Sequence, residues 1–436
     1  MFKRGVGLIL VLGLMLGAFG SASAQANLPF PCPDGEVTVS VAAGAVGVEY
    51  DLAVEQGNRY TEACPNVTIE VLEMPNEATD RVSIYQQFWE AQSPDVDVYQ
   101  TDVIWAGIIA PHSVDLLEYL DEEYISQFFP NMIEGQTIDG RLVAIPWFTD
   151  AAGLYYRTDL LEKYELEVPT TWDELTEAAQ IIQDGERAEG NDDFYGYVWQ
   201  GNAYEGLTCD AHEWLVSETG ASFITPEGEV TVNNPEFVAA LERAAGWVGG
   251  ISPEAVTTYG EEESRAVWQA GNAAFMRNWP YAYGLGNAED SVIAGLFDYA
   301  PLPAGASGAA ACLGGWQLAV SQYSDNIEAA VSVAAFFASP EEQKLRALSP
   351  QGANPTIPAL YEDPDLEAEN PLFGRMGPIL ETAFPRPSGV TGEQYSQAST
   401  IFFTYVHDVL TGQTDAQTAV EDMEADLQDL VDDLGM

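Results

Sequence analysis

Alternating β-branched and polar residues open the folded part of the chain. Val37–Val41 (VTVSV) and Val67–Val71 (VTIEV) repeat with a period of two, which predicts strands with one face buried. The segment Glu49–Glu62 between them can form a helix, so the pattern predicts a βαβ unit. A third strand is predicted over Val96–Tyr99, after the helix-like VSIYQQFWEAQ, and it runs directly into Asp102. Ligands of open parallel sheets sit beyond the carboxyl ends of the strands, which makes Asp102 a candidate ligand residue. A side-chain cap on the next helix accounts for the same residue equally well.

Further along, helix starts are marked by local chemistry. Thr171-Trp172-Asp173-Glu174 and Ser339-Pro340-Glu341-Glu342 both fit the capping box, and Asn234-Pro235 pairs a cap with a first-turn proline. Ala419, Met423, Leu427 and Leu430 form one stripe at helical spacing near the end of the chain, which predicts a packing helix. Tyr155 and Tyr156 continue an extended apolar run and are expected in the core of a strand. The glycine- and alanine-rich stretch 301–315 reads as a loop feeding a strand, and RNWPYAYG at Arg277–Gly284 also reads as a loop. No internal repeat or low-complexity tract interrupts this order.

At the N-terminus, Lys3 and Arg4 precede an apolar run and the small-residue site Ala22-Ser23-Ala24, the layout of a secretory leader cleaved after Ala24. No later segment reaches the ~20 apolar residues of a membrane span. Cys32 sits between prolines, so no lipid-attachment signal is expected, and the mature protein is expected outside the cytoplasm, periplasmic or extracellular. Without the leader 412 of 436 residues remain, more than one core usually organises, so two domains are expected. Export permits disulfides. Cys32 and Cys64 each precede a predicted strand, and neighbouring parallel strands bring such starts together, so that pair is preferred. Cys209 with Cys312 follows by elimination, with free buried thiols as the alternative.

The chain carries 69 acidic and 15 basic residues, a formal net charge of -54. Such a field repels nucleic acid, phosphates and acidic polymers and leaves neutral or cationic ligands. Most of these carboxylates are explained as a solvated surface suited to salt. DPDLEAENP at 363–371 alternates acids like a calcium loop, but Ala368 replaces the required glycine and Gly374 the closing glutamate, so no metal or other cofactor is expected. His112, His212 and His407 lack ligand spacing, and no hydrolase, nucleotide or dinucleotide motif appears, so no catalytic residues are assigned. A carboxylate pair such as Asp102 and Asp150 is the minimum for glycoside hydrolysis, a weak signal among 69 acids. The aromatic clusters are more informative: flat faces suit the C–H faces of sugar rings and nearby carboxylates suit their hydroxyls. The same faces can also box a quaternary ammonium.

The runs IPWFTDAAGLYYRTDLLEKYELEVPTTWDEL (145–175), WQGNAYEGLTCD (199–210), QGNAAFMRNWPYAYGL (269–285), LGGWQLAVSQYSDN (313–326) and FPRP (384–387) resemble extracellular solute-binding proteins of ABC sugar importers. Within them they are most similar to the trehalose/maltose-binding branch. The resemblance extends from about Val37 to the final helix. It implies an α/β protein of the type II periplasmic-binding fold, two lobes joined by a three-segment hinge. The crossings fall near Thr149, Gly315 and Asn354, giving lobes of 25–149 with 316–353 and 150–315 with 354–436. It also implies a monomer that binds a neutral disaccharide and delivers it to the permease subunits of a membrane transporter. By the same resemblance Asp102 and Asp150 accept sugar hydroxyls, and Trp279, Tyr281 and Trp316 stack on the rings. The Gly315 backbone lies close to the ligand, Arg386 donates from the second lobe, and Glu49 and Arg81 make polar contacts from the first. Phe148 stands at a ligand position where relatives often carry tyrosine, at the expense of one hydroxyl contact.

Overall fold

A computed structural model describes residues 31–436 apart from positions 290, 350, 351, 370, 371, 381 and 436. The expected leader and its cleavage site lie outside the described residues. In chain order the strands are β1 (Val37–Ala43), β2 (Val67–Glu73), β3 (Val98–Asp102), a short hairpin of β4 (Thr137–Ile138) and β5 (Arg141–Leu142), β6 (Ile145–Ala151), β7 (Gly153–Arg157), β8 (Tyr195–Val198), β9 (Ala273–Asn278), β10 (Phe297–Ala300), β11 (Ala311–Val320) and β12 (Ala383–Phe384).

Two sheets organise the chain. The larger runs β12-β11-β3-β1-β2, with β6 also paired to β11; the smaller runs β10-β7-β9-β8. β1 lies parallel to both β2 and β3, and the helix Glu49–Ala63 makes the crossover, so the opening βαβ unit is present. That helix buries Leu52, Ala53 and Tyr60 on one side and leaves Asp51, Glu55 and Glu62 to solvent, while Glu49 at its start is buried. β3 begins two residues later than the alternation predicts and ends on Asp102.

Each sheet has its own apolar core. The first draws on Val39 to Phe148, then Leu318 to Leu366. The second draws on Ala151 to Ala311, then Leu372 to Val431, with Val46 reaching across from the first. Chain segments therefore pass between cores at three places. The third falls later than expected: Ile357, Leu360 and Leu366 pack into the first core, and only from Leu372 onward does the chain contribute to the second. Near Asn354 the chain instead runs beside β6, where Thr149 bridges Asn354, and Gly315 of β11 pairs with the same Thr149.

Local signals at helix starts hold with one exception. Thr171 forms the complete reciprocal box with Glu174 over the helix Trp172–Ala188, and Asn234 caps Pro235–Trp247 by accepting from the Phe237 amide at 2.7 Å. Ser339 accepts from the Glu342 amide at 3.4 Å, but the Glu342 carboxylate turns away to chelate Arg59 at 2.8 and 2.6 Å. A bidentate ion pair outcompetes one reciprocal cap bond. The helix Ala416–Asp433 buries Ala419, Met423, Leu427 and Leu430 as its spacing predicts. Stretch 301–315 is loop only as far as Ala310, because β11 starts at Ala311. In β7 Tyr155 is fully buried, whereas Tyr156 points to the opposite, half-buried side.

The two cysteine expectations part company. Cys32 and Cys64 form a disulfide with 5.6 Å between Cα atoms. Cys209 and Cys312 are not bonded: both are free and buried, one on the helix Glu205–Thr219 and one on β11. The two thiols lie side by side, Cys209 hydrogen-bonded to Cys312, so elimination named neighbours that pack as small apolar groups without a covalent bond. Denatured without reductant, the protein is expected to titrate two thiols per chain with Ellman's reagent. Reduction of Cys32–Cys64 is expected to cost on the order of 3 kcal/mol in denaturant unfolding, from the loop it closes. A count of zero or four thiols contradicts this assignment.

Candidate functional site

Between the two sheets lies a cleft walled by side chains from both. The crossing strands build its floor. In β11 the backbone of Gly314 and Gly315 faces Asp150 and Thr149 of β6, and both positions require glycine. Gly315 has φ of 129°, and a Cβ there meets the Phe148 carbonyl oxygen at 2.7 Å. At Gly314 a Cβ meets the Trp279 ring at 2.8 Å. Without those two side chains the backbone, the indole of Trp279 and the carboxylate of Asp150 come together.

Of the expected ligand residues, Glu49, Asp102, Asp150, Trp279, Tyr281, Gly315, Trp316 and Arg386 all line this cleft. Arg81 and Phe148 do not. Phe148 is buried in the first core against Trp147, with the Arg346 guanidinium over its ring. Arg81 is fully buried behind Trp316, its guanidinium 4.2 Å from the ring centroid. It donates to the carbonyls of Pro75 and Asn76 instead of facing the cleft.

RNWPYAYG is not a loop throughout. Arg277 and Asn278 end β9, Trp279 and Pro280 form the turn, and Tyr281–Gly286 is a helical turn. Proline there supplies the preset φ of a helix start. Trp279 donates its indole N–H to Glu261 at 3.3 Å, and its carbonyl accepts from the Tyr155 hydroxyl at 2.8 Å. Tyr281 donates to Glu262 at 2.6 Å, which fixes its ring. Tyr283 falls outside the cleft and packs edge-on against Phe297.

Asp102 serves as the cap that its position allowed and also lines the cleft. Its carboxylate accepts from the Ile104 amide at 3.3 Å, capping a short turn, and pairs with Arg386 at 2.9 Å. Arg386 reaches Glu205 at 2.7 Å with its other terminal nitrogen. One guanidinium thus ties the end of β3 in the first sheet to the helix Glu205–Thr219 of the second. Glu205 also accepts from the hydroxyls of Tyr395 and Ser399, both at 2.6 Å. Two further bonds close the same side: Asn202 donates to Glu77 at 3.2 Å, and the Glu205 amide to Thr79 at 3.1 Å.

Glu205, Glu261 and Tyr204 complete the wall and were not singled out from sequence. Tyr204 and Glu205 lie in WQGNAYEGLTCD, where the motif itself was the signal. Glu261 opens the acidic run 261–263, which is indistinguishable by composition from a solvated helix start. Five carboxylates and one arginine therefore face a space that removes them from water. Burial raises Glu49 despite the opposing charges of Arg81 and Arg346. It also raises Glu205 and Glu261. Asp150 is pushed well above the usual range by burial and then by Glu49, with Arg346 opposing and Asp102 reinforcing. The arrangement is rich in acceptors and poor in donors, which suits a ligand that brings hydroxyls or positive charge.

A group whose folded pKa is raised contributes stability that is complete below its ordinary range and is lost as pH climbs through the raised value. Asp150→Asn removes that loss, because an amide does not ionise. The unliganded variant is expected to melt above the parent near neutrality, and the gap to shrink as pH falls toward the ordinary carboxyl value of 3.8. Thermal unfolding across pH checks this; a gap that widens on acidification contradicts it.

The family model described as bacterial extracellular solute-binding protein matches residues 45–344. A probable ABC transporter-binding protein of Deinococcus radiodurans is 45% identical over 419 residues, covering 96% of this chain and 97% of the relative. Among solved structures, maltose-bound MalE3 of T. maritima aligns with a TM-score of 0.85 and 38% identity, over 90% of this chain and 100% of that chain. The GacH receptor of Streptomyces glaucescens aligns at 0.79 with 22% identity, over 91% and 99%, a likeness of fold alone. The two sheets and their crossing strands are thus the two α/β lobes and segmented hinge of the type II periplasmic-binding fold. Matched over most of its length by the family model and along nearly all of it by a relative, this chain belongs to the bacterial extracellular solute-binding proteins, components of transport and not enzymes.

Proposed function

We propose that the protein binds a neutral disaccharide of the trehalose, maltose or sucrose kind between its lobes and presents it, as an exported monomer, to the permease subunits of an ABC importer. One observation carries this reading. Trp279, at the end of β9 in one sheet, and Trp316, in β11 of the other, wall the same cleft with Asp150 beside them. Two indoles on opposite lobes suit two linked pyranose rings, and the five carboxylates suit their hydroxyl hydrogens. The likeness to a maltose-bound protein at 38% identity supports the same class. In this reading Asp102, Asp150 and Glu49 accept from the sugar, Tyr281 adds a face, and the Gly315 backbone passes close to the ring. Arg386 serves first as the tie between lobes and donates to the ligand from that position. The lobes comprise 25–149 with 316 to about Leu366, and 150–315 with Leu372 onward, so the third crossing moves to the point where the cores change.

The acid-rich wall also gives a second reading, a quaternary ammonium solute held by the same aromatic faces. Glycoside processing, the remaining alternative, has only the proximity of carboxylates in its favour. Thermal-shift and calorimetric titration with maltose, trehalose, sucrose, betaine and choline separates these, since a ligand specific to the folded state raises the melting point. A disaccharide is expected to bind, and to be returned unhydrolysed after hours. Trp279→Ala and Trp316→Ala are each expected to weaken it at least tenfold, about 1.4 kcal/mol. Binding of betaine or choline with no response to any sugar rejects the disaccharide reading.

A further inference from the structure

We infer that Arg81 and Arg277 are specificity residues that act through the cleft tryptophans, each backing one indole with a buried cation so that its open face accepts an uncharged ring and disfavours a positive ligand. The inference deepens the saccharide reading and rests on it. The geometry repeats on both lobes. Arg81 Cζ lies 4.2 Å from the ring centroid of Trp316, and Arg277 Cζ lies 4.5 Å from that of Trp279. The two arginines are 0% and 1% exposed, and neither reaches the cleft wall.

Each cation is locked in place by different means. Arg277 pairs with Asp210 at 2.9 Å and Glu213 at 2.6 Å and donates to Gln200 at 2.9 Å. Arg81, on the helix Ala78–Glu90, donates to the Pro75 carbonyl at 2.9 Å and the Asn76 carbonyl at 3.3 Å. Its cation thus lies on the back of Trp316 while Trp105 meets the same indole edge-on. Both indoles are held on their protein side and remain partly exposed on the other.

A tryptophan ring attracts a cation through the negative potential of its faces. A guanidinium on one face draws π density toward itself, so a second cation on the opposite face meets a weaker quadrupole and, most strongly at Arg81, whose hydrogen-bond acceptors are carbonyls and not carboxylates, a like charge across the ring. Stacking of sugar C–H groups depends mainly on dispersion and apolar burial, which the backing charge leaves intact. The carboxylates of the wall taken alone attract cations and sugars alike. The arginine behind each ring is the feature that separates them, against solutes such as quaternary ammonium compounds.

Tetramethylammonium chloride and maltose are the probes, titrated calorimetrically at pH 7 with ionic strength held constant by sodium chloride. The parent protein is expected to bind tetramethylammonium at least tenfold more weakly than maltose, a comparison that needs no variant. Arg81→Gln keeps an amide donor for the Pro75 or Asn76 carbonyl but removes the charge, and is expected to raise tetramethylammonium affinity threefold or more. Arg81→Lys, with the charge retained, is expected to stay near the parent. Combining Arg81→Gln with Trp316→Leu is expected to abolish the gain, since the effect passes through the indole. A gain of equal size with and without the indole, no gain in a folded Arg81→Gln, or tetramethylammonium binding as tight as maltose in the parent overturns the inference. A parent that ignores maltose and every other disaccharide fails the saccharide reading instead, and the ammonium cycle still reports on the arginine.

Discussion

Everything in the cleft depends on the close antiparallel approach of β6 and β11 as they pass between the sheets. Gly314 and Gly315 face Asp150 and Thr149 across that pair, and any side chain at either glycine collides with the Phe148 carbonyl or the Trp279 ring. The same ten-residue strand pairs with β3 over Trp316–Val320 and with β12 over Ala311–Cys312. It therefore fixes Trp316 opposite Asp102 and brings the chain leading to Arg386 alongside. A strand shared by both lobes lets one backbone register place groups from four separate parts of the sequence within one cleft. The residues around the hinge are then set by ladder geometry before any ligand arrives.

Electrostatics runs against stability in this cleft. Carboxylates at Glu49, Asp150, Glu205 and Glu261 are raised chiefly by burial, so the empty cleft holds groups that resist ionisation. Two ion pairs from Arg386 offset part of this cost and also join the lobes. In the proposed reading, hydroxyl donors from a saccharide satisfy carboxylates that burial holds away from water. Stability is sacrificed where carboxylates are withdrawn from water to line a cleft, a familiar trade-off at functional sites.

How much of this the sequence disclosed depends on the range of the interaction. The βαβ start and the final helix were legible, because period-two and period-3.6 patterns are local. So were the caps at Thr171 and Asn234, whereas the box at Ser339 failed because Arg59, 280 positions away, claims the glutamate. The resemblance singled out most of the residues now found along one wall. Arg81 and Phe148 lie behind that wall, since motif matching reports which residues cluster and not how deeply each one is buried. Glu261 escaped notice within an acidic run, and Cys209 with Cys312 was paired by arithmetic where packing decides. The third crossing was placed near Asn354, where the chain meets Thr149 of β6, and the change of core follows only between Leu366 and Leu372.

Hydrogen–deuterium exchange with and without saturating maltose tests closure around a saccharide most directly. Closure on the sugar predicts slowed exchange on both lobes at once, over residues 102–106, 202–206, 279–283 and 314–317, with little change in the helix Ala416–Asp433. Protection confined to one lobe, or none at these segments despite measurable sugar binding, contradicts a ligand held between the two tryptophans.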